Sequence, residues 1–510
     1  VKEAISTADL EPPAAEAPEG NGRANVDLLS TQEAGPAAAR GGAMRSSAFL
    51  AGSLFVLGSA ALLFRHLGVV ETGRYTTASS LGSVVVGFTD LGLTAIGIRE
   101  LAVLRGEQRA DLARNLFGMR LVLTVLGSAI VTAFAFAVYG RLMGFGVLIA
   151  SCGVLAQNVQ ATFAVSLIAR LRLGWVSVLD FARYLAIAGL IVLFVLLGAH
   201  LLAFLAVTAI AALIVLPPTI ALVRSDIPIR PSFDARQWRR LLGPLLAYSA
   251  ATAAATLYVR IAIVLVSLIA DARQLGYFGV SYRMVEALLV LPTLLVGAAF
   301  PIFARAARED PARLRFAISR VFDAALIMGA WVSLSLIIGS HLIIAVIAGA
   351  SFMPSAPVLA FQGIALGAVF VSSVWAYGLL SLGLHRVILI FNLALLAAVA
   401  VVVAILAALY GAEGAAIGTA AVEIVSAVAG GVVLAHGRPH LKLSLKTLPK
   451  VAIAAAIGAA PALLGGVPAI GRVCLSTFLY ATALLLLKAF PPDLLAILLP
   501  LRAKRQNSRS

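Results

Sequence analysis

Between Met44 and Lys488 the chain is a succession of apolar stretches of about 20 residues, joined by short polar connections. That length is what an α-helix needs to cross the hydrocarbon core of a bilayer, where every backbone polar group has to be satisfied within the protein. The feature excludes most soluble architectures at once. Only 12% of residues are charged and 61% are hydrophobic, whereas soluble chains are about a quarter charged. So few charges cannot cover a water-facing surface of this size; the excess apolar surface has to face lipid.

The stretches parse into fourteen spans: 46–65, 77–97, 116–139, 143–168, 177–198, 201–223, 242–269, 277–303, 318–339, 357–381, 387–409, 414–435, 449–466 and 470–488. The fold class expected is all-α, a polytopic membrane protein. Gly339 to Pro357, with His341, Gly349, Pro354 and Pro357, reads as a re-entrant or interfacial piece rather than a loop. Pro461 and Pro468 interrupt the last two spans, so twelve spans remain an alternative. Residues 1–44, rich in Ala, Pro, Glu and Gly without an apolar period, read as a disordered cytoplasmic tail. No basic stretch followed by a short apolar one opens the chain, so no cleaved signal peptide is read.

The net charge of +16 is a matter of topology rather than nucleic-acid binding, because the basic residues sit in short clusters between spans. With the N-terminus inside, 28 Lys and Arg fall on inner segments and five, Arg65, Arg74, Arg141, Arg273 and Arg472, on outer ones. Both termini are therefore expected in the cytoplasm. The connections, at most roughly twenty residues, are too short to hold an ATPase or glycosyltransferase domain. No Walker-type loop, HExxH or GxSxG occurs. Cys152 and Cys474 lie far apart in apolar segments, and the six histidines show no metal-ligand spacing. Neither a metal nor an organic cofactor is expected.

Ionisable side chains inside spans are costly unless they meet a partner or a cavity, which makes them the candidates for function. They are Asp90, Arg120, Asp180, Arg183, Arg260, Arg283, Glu286, Asp323 and Glu423. Arg120, Asp180, Arg183 and Asp323 lie near span ends, where snorkelling relieves the cost. Arg260 stands near the middle of the seventh span and needs an anion, a carboxylate or water. Arg283 and Glu286, three residues apart on one helix face, satisfy each other in one reading. In the other, Arg260 and Arg283 border a shared aqueous cavity and grip a phosphate or pyrophosphate through their planar forks. Asp90 and Glu423 either hold a proton or a sodium ion for coupling or bond to local backbone. A weak internal repeat relates Glu71-Thr72-Gly73-Arg74-Tyr75 to Gln274-Leu275-Gly276-Tyr277-Phe278, each opening a long apolar helix in the same orientation.

The segment Phe64–Glu100 carries Arg65, Leu67-Gly68, Gly73-Arg74-Tyr75, Asp90-Leu91-Gly92-Leu93 and Arg99-Glu100. In these it resembles the polysaccharide transporter family, the Wzx-type flippases of the MOP superfamily, which also contains MATE and MurJ-like proteins. Tyr282-Arg283, Glu286, Pro292 and Pro301 match the family's eighth helix, and Arg260 falls where its seventh often has a basic residue. The likeness runs from about residue 46 to 440. It implies two six-helix lobes, at 45–240 and 241–440, then two further helices at 441–490 and a basic cytoplasmic tail at 491–510. It also implies alternating access around a cationic cavity, with an undecaprenyl-pyrophosphate-linked oligosaccharide as substrate, for O-antigen or exopolysaccharide synthesis.

On this reading the chain is a flippase, not an enzyme, in a bacterial inner membrane. Arg260, Arg283 and Arg65 hold the pyrophosphate; Asp90, Glu286 and Glu423 serve the cavity or coupling to protons or sodium; membrane lipid and a polysaccharide polymerase are the expected partners. The rivals are a lipid II flippase, a MATE-type drug or cation antiporter, which needs acidic cavity groups, and a membrane glycan polymerase or ligase, which needs a large outer loop.

Overall fold

A computed structural model describes residues 34–90, 92–242, 246–437, 445–464 and 466–489. The segments 1–33 and 491–510, and with them most of the N-terminal tail and all of the C-terminal tail, lie outside the described residues. In chain order the helices are α1 (Ala34–Asp90), α2 (Leu93–Val103), α3 (Gly106–Ala169), α4 (Leu173–Leu196), α5 (Leu201–Val223), α6 (Ala235–Leu242) and α7 (Leu246–Ile269). They continue as α8 (Ala272–Leu288), α9 (Val290–Glu309), α10 (Pro311–Ile347), α11 (Ser355–Ser381), α12 (His385–Gly437), α13 (Thr447–Ala459) and α14 (Ala469–Leu486).

Three of these helices are twice the length of a span. Each is broken at one glycine outside helical geometry: Gly68 (φ 70°) in α1, Gly140 (φ 82°) in α3 and Gly411 (φ 59°) in α12. Divided there, and with α8 and α9 forming one rod across Leu289, the described chain supplies thirteen rods of at least 18 residues, while α13 is a shorter apolar helix of 13 residues and α2 and α6 are short connectors. The last two helices are distinct, because the chain leaves α13 through a 3-10 turn at Ala460–Leu463 that contains Pro461.

Several boundaries differ from those expected. The connection 66–76 is helical apart from Gly68, since helical hydrogen bonding continues almost to the break. Helix α1 starts at Ala34, ahead of the boundary placed at 44. The stretch from Gly339 to Pro357 is no re-entrant piece: α10 runs on to Ile347, and Gly349 with a 3-10 turn at Ala350–Phe352 leads directly into α11. Side-chain caps fix other ends. Asp310 accepts from the amides of Ala312 (2.8 Å) and Arg313 (3.1 Å) ahead of Pro311, and Asp271 accepts from Gln274 N (2.7 Å) to open α8.

Helices α1, α3, α4 and α5 pack on one another, as do α7, α8, α10, α11 and α12; α13 and α14 lie against α10. The core of the second group is aromatic and aliphatic, with Phe303, Phe352, Phe370, Ile318 and Val374 fully buried. Large side chains such as Leu54, Ile130 and Leu196 project outward, as lipid contact requires.

The two groups meet where the second half of α1 crosses α8 and α7. A Cβ on Gly73 would stand 2.0 Å from the Ala272 carbonyl oxygen, and one on Gly276 would stand 2.1 Å from that of Val69. The paired Gly motifs of the internal repeat therefore face each other, backbone against backbone. Nearby, the Tyr139 and Ser267 hydroxyls lie 2.6 Å apart, linking α3 to α7. Backbone atoms cannot yield to a methyl group at that distance, so Gly73→Val should hold this contact open. With Cys152 and Cys474 replaced by Ser, oxidative cross-linking of a Tyr139→Cys/Ser267→Cys pair reads the effect. The yield should fall several-fold on adding Gly73→Val, and an unchanged yield would show that the contact does not depend on the glycine.

Candidate functional site

Arg260 on α7 and Arg283 on α8 converge on a single carboxylate. Arg260 Nη2 donates to Glu286 Oε1 (2.5 Å) and Arg283 Nη1 donates to Glu286 Oε2 (2.9 Å). The second contact is the expected i,i+3 pair; the first depends on the approach of α7 to α8. The group carries one net positive charge. No other protein hydrogen bond is seen for either guanidinium among the described residues, and each has five N–H donors, so most of that donor capacity is unused by protein. The Tyr282 ring lies 6.0 Å from the Arg260 guanidinium, and the Tyr282 hydroxyl donates to the Val259 carbonyl (2.8 Å), tying α8 to α7 beside the arginine.

The three charged side chains border a cavity of about 160 Å³ between the helix groups. Its opposite wall is the second half of α1, where Tyr75, Thr76, Ser79, Ser80 and Ser83 supply hydroxyl groups, while α4 and α5 close the sides. Thr76 and Ser83 donate to the carbonyls of Thr72 (2.8 Å) and Ser79 (2.9 Å), which leaves the Tyr75, Ser79 and Ser80 hydroxyls to bond to the oxygens of an anionic ligand without adding negative charge.

The remaining candidates lie elsewhere. Arg65 does not join the cavity, although Phe64 beside it does: Arg65 Nη2 donates to the Val346 carbonyl (2.5 Å) at the C-terminal end of α10. Successive helical residues point about 100° apart, so only one of the two can face inward. At that helix end the cation meets unpaired carbonyls and the negative end of the dipole. Asp90 is held by Arg120, which is 4% exposed, and by the Thr94 hydroxyl (2.5 Å). Arg120 also reaches Thr162 (3.3 Å), and Asn158 donates to Thr89 (2.8 Å) and Thr124 (2.9 Å), which completes a polar network between α1 and α3. Asp180 and Arg183 form an i,i+3 pair at 3.6 Å.

Glu423, 8% exposed, accepts from the Tyr258 hydroxyl (2.5 Å) in a second cavity of about 240 Å³ among α7, α8, α11 and α12. Asn392, Thr419 and Ser426 line it, together with Gln362, which is 2% exposed and has neither amide atom hydrogen-bonded to protein. Tyr282 lines both cavities. Gln362 was not singled out from the sequence because it is uncharged; a lone amide in the run from Val358 to Ala368 was the available signal.

The architecture is that of the flippases and transporters of the MOP superfamily. The structure is similar to lipid II flippase MurJ in an inward closed conformation (TM-score 0.72, 14% identity, 86% of this chain and 97% of that one). It is also similar to a multidrug resistance MATE family transporter in an inward-facing conformation (TM-score 0.57, 15% identity, 78% and 95%). A mutant of the Vibrio cholerae MATE transporter VcmN matches with TM-score 0.54 and 14% identity, over 81% of this chain and 100% of that one. No curated protein matches the chain. The family model described as polysaccharide biosynthesis protein matches residues 38–307, and the chain belongs to that family.

Proposed function

We propose that the protein flips an undecaprenyl-pyrophosphate-linked oligosaccharide across a bacterial cytoplasmic membrane by alternating access, for O-antigen or exopolysaccharide synthesis. The observation that carries this reading is the Arg260–Glu286–Arg283 group on the wall of the cavity between the two helix groups. Phosphates leaving water need charged donors in place of their hydration, and paired guanidinium forks provide them. In this conformation the cavity is too small for an oligosaccharide, so the helix groups part at the α1–α8 contact to admit it while the polyprenyl tail stays in lipid. Glu286 holds the arginines in place between substrates and competes with the arriving phosphate. Both termini lie in the cytoplasm, and a polysaccharide polymerase receives the product.

A lipid II flippase is the second reading, favoured by the likeness to MurJ and served by the same pyrophosphate chemistry. A cation antiporter is disfavoured by the positive charge of the cavity. Movement is coupled to a proton or sodium ion at Glu423, in the second cavity. Fluorescent lipid-linked oligosaccharide in proteoliposomes tests the reading: it should cross to the opposite leaflet with wild-type protein, and failure to cross while a peptide-bearing lipid II does so would select the second reading. Glu423→Gln should leave headgroup affinity within about twofold and remove the response of the rate to a pH or sodium gradient. A variant that still responds would exclude Glu423 from coupling.

A further inference from the structure

A third cavity, of about 720 Å³, runs along the face formed by α10, α11, α12 and α13. Its wall is apolar, with Leu326, Val371, Val428, Leu448 and Val451 among its residues. The polar groups it includes are spent within the protein: Ser333 Oγ donates to the Gly363 carbonyl (2.8 Å) and Trp375 Nε1 to that of Ala427 (2.7 Å). Nothing in the wall calls for a polar ligand. In a bilayer such a groove cannot stand empty, because its lining would lose contacts that hydrocarbon chains supply.

Its mouth has a different character. At the end of the groove marked by Leu445 and Leu448, Asp323 on α10 lies beside Thr447 at the start of α13, with Arg320 and Lys450 close by. Lys450 Nζ donates to the Lys488 carbonyl (3.1 Å), bringing the end of α14 to the same place, and Lys446 is exposed one turn before Lys450. Arg320 and Lys450 thus stand beside the one acidic side chain at the rim of an apolar groove, with Lys446 exposed one helical turn away. Chains in the groove and a negative headgroup at the rim satisfy both halves together, and basic pockets between membrane helices act in this way.

We propose that this groove is a binding site for an anionic diacyl phospholipid, with its acyl chains between α12 and α13 and its phosphate at Lys446 and Lys450. The site is separate from the Arg260 cavity and does not rest on the transport reading. The lipid braces α13 against α12, which are otherwise divided by the groove.

Delipidated full-length protein, titrated with phosphatidylglycerol or phosphatidylcholine and read by native mass spectrometry, tests the proposal. Wild type should retain phosphatidylglycerol on the order of tenfold more tightly than phosphatidylcholine. Lys446→Gln/Lys450→Gln should remove that preference while leaving phosphatidylcholine retention unchanged. Val428→Trp, at a site 64% exposed and therefore tolerant of substitution, should obstruct the groove and reduce retention of both lipids several-fold. Inorganic phosphate should not displace the bound lipid. Equal retention of the two lipids by wild type, a preference that survives the double substitution, displacement by inorganic phosphate, or stronger retention of a polyprenyl alcohol would each overturn it.

Discussion

Arg260→Ala should weaken binding of a polyprenyl pyrophosphate by roughly 30-fold to several thousand-fold, the range for loss of one partner from a buried, hydrogen-bonded charge pair. Two effects combine. The substitution removes the cation that α7 presents to the cavity, and it leaves Glu286 paired with Arg283 alone, so the site changes from one net positive charge to none. Glu286→Gln should act in the opposite direction. It frees both guanidinium groups and raises the net charge to two, so the headgroup should bind more tightly and leave more slowly. Equilibrium binding and turnover measured on both variants check the pair: a simple loss of structure would weaken binding in each, whereas the proposed role requires opposite signs.

The second large effect is one of stability. Asp90→Ala leaves Arg120, 4% exposed between α1 and α3, without its carboxylate; because Asp90 is 37% exposed and solvent can enter where it stood, the cost should be about 1–3 kcal/mol, below that of a fully buried pair. Thr94 and Thr162 remain as hydrogen-bond partners, but neutral hydroxyls do not compensate a buried charge. Asp90→Ala/Arg120→Met removes both charges and fills the space, and should recover most of the loss. Thermal unfolding in detergent, with the two single variants and the double, gives the coupling between the groups. If Asp90→Ala melted like wild type, the ion pair would have no structural role.

The helical spans were legible because their determinant is local: a run of apolar residues long enough to cross a bilayer declares itself without reference to its neighbours. Their joints were less so, since a turn compressed into Gly68 or Gly411 leaves no polar loop to read. The same division applies to the site. Arg260 stood out because it is alone in an apolar run. Its carboxylate was also visible, but Glu286 is three residues from Arg283, and a local partner was nearer to hand than one on another helix. Only the approach of α7 to α8 gives it a second arginine. Arg65 belonged to a recognisable motif, yet its role depends on the end of α10, nearly three hundred positions away in the chain. The Gly73 and Gly276 motifs could be matched as a repeat, but that each is small because the other presses on it requires the crossing of α1 and α8.

Two arginines arranged for a phosphate are the centre of the account, and a comparison of headgroups tests them most directly. Affinity for a short-chain polyprenyl pyrophosphate and for the corresponding polyprenyl alcohol should be measured on wild type and on Arg260→Ala. The prediction is that wild type strongly prefers the pyrophosphate and that the substitution abolishes the preference while barely changing affinity for the alcohol. Equal affinity of wild type for the two lipids, or a preference that persists without Arg260, would contradict it.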